Sequence, residues 1–60
     1  MYEKYARLRD ANGMTDYAVA KLTGISPSTL TDWKKGRTVP KVDKLKILAE
    51  LFGVTIEELL

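Results

Sequence analysis

Apolar residues recur along the chain at intervals of three and four, and glycines at four points cut that pattern into five short segments. The breaks fall at Asn12-Gly13, Gly24, Gly36 and Gly53. In the first segment, Tyr2 to Ala11, Tyr5 and Leu8 lie three apart, and Lys4, Arg7 and Arg9 are expected to point elsewhere. The second opens at Thr15, a residue type suited to capping a helix start, with Asp16 in the first turn to complement the helix dipole. Val19 and Ala20 are its inner face, with Leu22 as a third candidate. The third opens at Ser26-Pro27, a cap followed by proline at the first helical position, which is a strong start signal. Leu30 and Trp33 share a face there. The fourth runs from about Val42 to Phe52, where Leu45, Leu48, Ala49 and Phe52 make an i, i+3, i+4, i+7 stripe. Thr55 then caps a last turn, Ile56 to Leu60. No stretch alternates with the period of two that a strand demands. The pattern predicts an all-α fold, a compact five-helix bundle with tight connections.

Sixty residues make one domain, and a chain of that size buries only ~60% of the surface its unfolded form exposes. Small folds often compensate with disulfides or a metal. With no Cys and no His both routes are closed here, apart from an all-carboxylate site, and no cofactor or metal is expected. The same gap bears on chemistry. The chain has no ready general base near neutral pH and no thiol nucleophile, and it offers little room for a pocket that could perturb a carboxylate. An enzyme is not expected. No apolar run approaches the ~20 residues of a bilayer span, and the N-terminus MYEKYARLRD reads as charged helix, not as a signal peptide. These features lead to the expectation of a soluble, cytosolic protein, without a membrane or small-molecule partner.

Charge sharpens this through its distribution more than its net value of +2. From Asp32 to Lys46, Lys34, Lys35, Arg37, Lys41, Lys44 and Lys46 face only Asp32 and Asp43. From Ile47 to Leu60, Glu50, Glu57 and Glu58 have no basic counterpart. A basic edge aimed at phosphates, with the acidic end turned away, fits this layout, as does an ordinary solvated surface.

The second and third segments decide between these readings. Two helices that cross closely need a small residue at the crossing, a glycine in the turn and apolar residues that lock the corner. Ala20, Gly24 and the set Val19, Ile25, Leu30 and Trp33 supply them, joined by the three-residue turn Thr23-Gly24-Ile25. The run TDYAVAKLTGISPSTLTDWKKGRTVP resembles the Cro/C1-type helix-turn-helix domains of phage and bacterial repressors. The flanking LRDANGMT and LKILAELFGVTIEELL fit the same family's first helix and its last two, so the resemblance covers essentially the whole chain. It implies a single DNA-binding domain over residues 1–60, which can stand as the N-terminal domain of a longer repressor. Its third helix, about Pro27 to Lys35, would enter the major groove of a near-palindromic double-stranded operator, with two copies bound as a homodimer.

Carried over position by position, the resemblance assigns base reading to Pro27, Ser28, Thr31 and Asp32. It assigns phosphate or groove-edge contacts to Thr15, Asp16, Ser26, Thr29, Lys35, Gly36, Arg37, Thr38 and Lys41, with backbone N–H groups at helix starts contributing whatever the side chains. Two positions depart from the family. Where Gln is common, Asp16 brings a negative charge towards the phosphates; it either serves the helix start alone or pairs with a neighbouring Lys or Arg. Pro27 has no hydrogen-bonding side chain and offers apolar contact only, for instance to a thymine methyl. Trp33 is expected in the core. Ser28 and Thr31 have no evident structural duty, which favours a role at the DNA.

Ile47, Leu51, Ile56 and Leu60 lie off the main apolar stripe. They either widen the core face or form a subunit interface, and the family's habit of dimerising through its last helix favours the interface. The competing reading of the whole chain is a protein–protein interaction or antitoxin-like module on the same fold, supported by the missing Gln at position 16 and the apolar tail.

Overall fold

The computed structural model describes all sixty residues, Met1 to Leu60. It contains four α-helices and one 3-10 turn, and no strand: α1 Tyr2–Ala11, α2 Asp16–Thr23, α3 Pro27–Lys34, α4 Val42–Phe52 and the 3-10 turn Ile56–Glu58. No helix is long and apolar enough to cross a membrane.

The helix starts follow from their caps. Thr15 Oγ1 accepts the Ala18 N–H at 3.1 Å, and Ser26 Oγ accepts the Thr29 N–H at 3.2 Å, each satisfying a donor left open by the first turn. Proline follows Ser26 at the start of α3, where its missing N–H costs nothing. The α2 end needs a left-handed residue, and Gly24 supplies it at φ +78 with its N–H on the Ala20 carbonyl. Gly36 does the same beyond α3, at φ +75. That turn lets the Arg37 N–H reach back to the Asp32 carbonyl at 2.8 Å.

The core is formed by Tyr5, Val19, Ala20, Ile25, Leu30, Trp33, Leu45, Leu48, Ala49 and Leu59, all buried. α2 packs against both α3 and α4, and Ala20 and Ile25 are buried in the shared core, as the small-residue crossing and the corner plug require. α1 closes the bundle with aromatics. The Tyr5 ring lies 5.2 Å from Trp33 and 6.1 Å from Phe52, and Tyr2 meets Trp33 edge-on at 5.6 Å. Trp33 is therefore core. Its indole N–H is buried without a hydrogen-bond partner.

Three expectations change. The fifth helix is a single 3-10 turn: Glu58 Oε2 accepts the Thr55 N–H at 3.3 Å, and the coil closes within three residues. Its tighter geometry turns Leu59 fully inward against the core while Leu60 stays exposed. Leu22 is 64% exposed, because it lies two residues, roughly 200° of helix rotation, past the buried Ala20. Arg9 points inward, four residues after Tyr5 and so on the same face.

Candidate nucleic-acid interface

The corner between α2 and α3 fixes which side chains are free to meet a partner. With Leu30 and Trp33 buried, the opposite side of α3 presents Pro27, Ser28 and Thr31, all exposed, and Asp32, half-buried. The structure thus brings all four predicted base-reading positions onto one accessible helix face. Ser28 and Thr31 take no part in capping, which leaves their hydroxyls available. Ser26 and Thr29 are committed to each other: besides the cap, their hydroxyls lie 2.9 Å apart. Whatever either contributes to a phosphate is added to that structural duty.

Past α3, Lys35, Gly36, Arg37, Thr38 and Lys41 are exposed along the loop into α4. Thr29 of α3 joins Thr38 and Lys41 in lining a cleft of about 420 Å³. Lys44, one turn into α4, lines it too. The sequence reading left Lys44 unassigned, because only the fold brings that turn alongside Thr29. Arg37 lies 3.5 Å from Asp32, an exposed pair in which a predicted phosphate contact partly neutralises a predicted base contact.

Asp16 is the position where the structure adds most. Its Oδ1 accepts hydrogen bonds from the Tyr5 hydroxyl and from Arg9 Nη1, both at 2.7 Å, and Oδ2 is 3.5 Å from the Tyr2 hydroxyl. Arg9 Nη1 also donates to Tyr2 Oη at 3.0 Å and its Nε to Asp10 at 2.9 Å. The carboxylate therefore pairs with a neighbouring basic residue, one of the two roles left open for it. Partial burial pushes its pKa up, but the hydrogen bonds from Tyr5 and Arg9 and the Arg9 charge outweigh this and hold it below the usual carboxylate value. Burial, followed by the hydrogen bond to Asp16, holds the Tyr5 phenol well above its usual range. The hydrogen bonds to Asp10 and Asp16 keep the Arg9 guanidinium firmly charged. Asp16 thus ties α1 to the start of α2 with its charge offset, while Thr15 caps that start and stays exposed. Nothing in the spacing of Tyr2, Tyr5 and Arg9 marked them as its partners, since the contact spans two helices.

Leu51 and Ile56 are half-buried against the core, Ile47 is half-buried and Leu60 is exposed. Two of the four interface candidates thus also serve the interior.

Two capped helices meeting at a glycine turn, with a polar face on the second and basic residues beyond it, define a helix-turn-helix DNA-binding domain. The profile of the helix-turn-helix family matches residues 6–59, and the chain belongs to that family, the Cro/C1-type domains. Over 58 residues, 97% of its length, it is 33% identical to the HTH-type transcriptional activator BcrR of Enterococcus faecalis, and covers 28% of that protein. Over the same length it is 34% identical to the HTH-type transcriptional regulator DdrOP3 of Deinococcus deserti, covering 45% of it. An HTH-type transcriptional regulator of Haemophilus influenzae is 42% identical over 46 residues, 77% of this chain and 18% of that protein. The chain thus spans less than half the length of each of these relatives. No solved structure matches it significantly. The family is one of transcription regulators, and this domain is not an enzyme.

Proposed function

We propose that the chain is the sequence-specific DNA-reading part of a transcription regulator, acting in the cell interior as a repressor by occupying operator DNA. α3 enters the major groove with Ser28, Thr31 and Asp32 reading base edges and Pro27 giving apolar contact. Thr15, the α2 start, Lys35, Arg37, Thr38 and Lys41 hold the phosphates. The observation that carries this reading is the exposed polar face of α3, flanked by the exposed basic loop and backed by a fully packed corner. Two copies on a near-palindromic site would double the contacts. The exposed Leu60 and half-buried Ile47 are the side chains best placed to join them. Occupancy of the operator alone suffices for repression.

The interaction-module alternative keeps its two supports, the missing Gln at position 16 and the apolar tail, while the Arg9 pairing offsets the Asp16 charge that would otherwise repel a phosphate.

Selection of bound duplexes from a random pool tests the proposal directly. The expected product is a near-palindrome with half-sites ~10 bp apart, bound with strong salt dependence. A pool that shows no enrichment and no salt-sensitive retention would remove the DNA-binding reading.

A further inference from the structure

α2 carries one aromatic that the core does not use. Tyr17 is 69% exposed, whereas Tyr5 and Trp33 are buried and Tyr2 and Phe52 are half-buried. Its place on a surface helix is not explained by helix propensity, which ranks Tyr below the straight-chain residues. Its ring is one wall of a cleft of about 320 Å³ whose other walls include Lys21, Ile25, Ser26 and Pro27. The Lys21 ammonium stands 5.9 Å from the Tyr17 ring centroid, one helical turn further on. The cleft therefore runs from α2 onto the first turn of α3, and two of its walls, Ser26 and Pro27, belong to the DNA-facing set above. Gly24 also lines it and has no Cβ to fill it.

The chemistry of the cleft is specific. It combines flat apolar surfaces, from the Tyr17 and Pro27 rings, with one free cation at the rim. A nucleotide's backbone unit offers the matching combination, an apolar sugar face next to an anionic phosphate. Resting on the DNA-binding reading above, we propose that this cleft seats one deoxyribose–phosphate of the operator strand at the groove edge. Tyr17 packs against the sugar and Lys21 pairs with the phosphate. Stacked over the ring, Lys21 is held by Tyr17 in the pose the phosphate needs. This adds two side chains of α2 to the DNA interface, neither of which the sequence reading assigned. A protein bound along α2 would draw on Leu22, the other large exposed apolar side chain of that helix, and Leu22 does not line the cleft.

The test uses the duplex selected from the random pool and compares the wild type with Tyr17→Ala, Lys21→Gln and Leu22→Ala across a salt series. Circular dichroism and thermal melting first establish that each variant is folded. Lys21→Gln is expected to lower the slope of log K against log salt by about 0.9, the value for one lost phosphate contact. Tyr17→Ala should weaken binding several-fold with a smaller change of slope, and Leu22→Ala should bind as the wild type does. A single neutral methylphosphonate, walked along the backbone, should find one position that weakens the wild type and leaves Lys21→Gln unaffected. Wild-type affinity and slope in folded Tyr17→Ala and Lys21→Gln would overturn this assignment while leaving the DNA-binding reading intact. Failure of the wild type to bind any duplex would instead remove that reading itself.

Discussion

Asp16 sits at the start of α2, where the helix dipole favours a carboxylate and an approaching phosphate disfavours one. The structure reconciles the two demands by spending the charge on Arg9, with Tyr5 and Tyr2 completing the shell. Arg9 is largely buried and Asp16 about a third exposed, so the pair lies between a surface ion pair and an interior one. Asp16→Asn keeps an acceptor but removes the charge, and should cost about 1.5–2 kcal/mol in a denaturant titration, the lower part of the range for hydrogen bonds to a charged group because the pair is partly exposed. Its pH signature has a definite sign. The folded-state pKa is lowered, so the unfolded chain binds the proton more readily. The contribution is complete above the unfolded-state value of about 3.9 and is lost as pH falls through the lower folded value. Wild-type stability should accordingly decline in acid with a component that Asp16→Asn lacks, measured as the difference in melting temperature between neutral pH and pH ~3. Equal acid sensitivity in both proteins would mean that the network contributes no linked protonation.

At the scale of the elements, Gly24 shows how much of the fold a single backbone angle governs. It ends α2 at φ +78 and aims the chain into α3, yet a Cβ added there would meet nothing within 4 Å. The cost of Gly24→Ala is therefore conformational and not steric, about 1–2 kcal/mol, and Gly24→Asn should recover part of it because Asn tolerates the left-handed region. Both variants should keep the wild-type circular dichroism spectrum, with their melting temperatures ordered glycine, asparagine, alanine. This part of the architecture was legible from the chain because caps, proline and glycine are local signals. Thr15, Ser26-Pro27, Gly24 and Gly36 each act within a few residues of themselves, and the bounds of α4 followed from its apolar stripe. The last element was not legible in the same way. A capped stretch from Ile56 to Leu60 has the composition of a helix, and only the tighter 3-10 geometry puts Leu59, not Ile56, deepest in the core. Contacts between elements were equally hidden. The Arg9–Asp16 pair joins α1 to α2, and the clefts at Tyr17 and at Lys44 each form where two elements face one another. The positions that could carry a DNA contact were readable, but what else those side chains hold was not.

On the scale of the whole molecule, the proposed docking turns the basic loop towards the polyanion and the acidic C-terminal stretch away from it. The side-chain cations assigned to phosphate are Lys35, Arg37 and Lys41, all exposed. Each contact displaces counterions from the duplex, so each removes about 0.9 from the slope of log K against log salt when it is deleted. Lys41→Ala should show that loss alone, with affinity falling alike for the selected duplex and for random DNA. Arg37→Ala differs because its partner is Asp32, 3.5 Å away and on the face proposed to read bases. Deleting the guanidinium removes the proposed phosphate contact and also leaves the Asp32 carboxylate without its neighbour. Arg37→Ala should therefore weaken binding more than Lys41→Ala at low salt, where the freed charge is least screened, and the two should converge as salt rises. The double variant Arg37→Ala/Asp32→Asn separates the two effects: it keeps the reduced slope, and recovery of the excess loss would mean that the Asp32 carboxylate repels the DNA instead of reading a base. Fluorescence anisotropy on the selected duplex between 50 and 200 mM salt is sufficient to measure this. If the double variant binds no better than Arg37→Ala, then Asp32 either makes a favourable base contact of its own or stands clear of the DNA. Changing the base pair opposite it then distinguishes these, since only a carboxylate that accepts from cytosine N4 would respond to the loss of that cytosine.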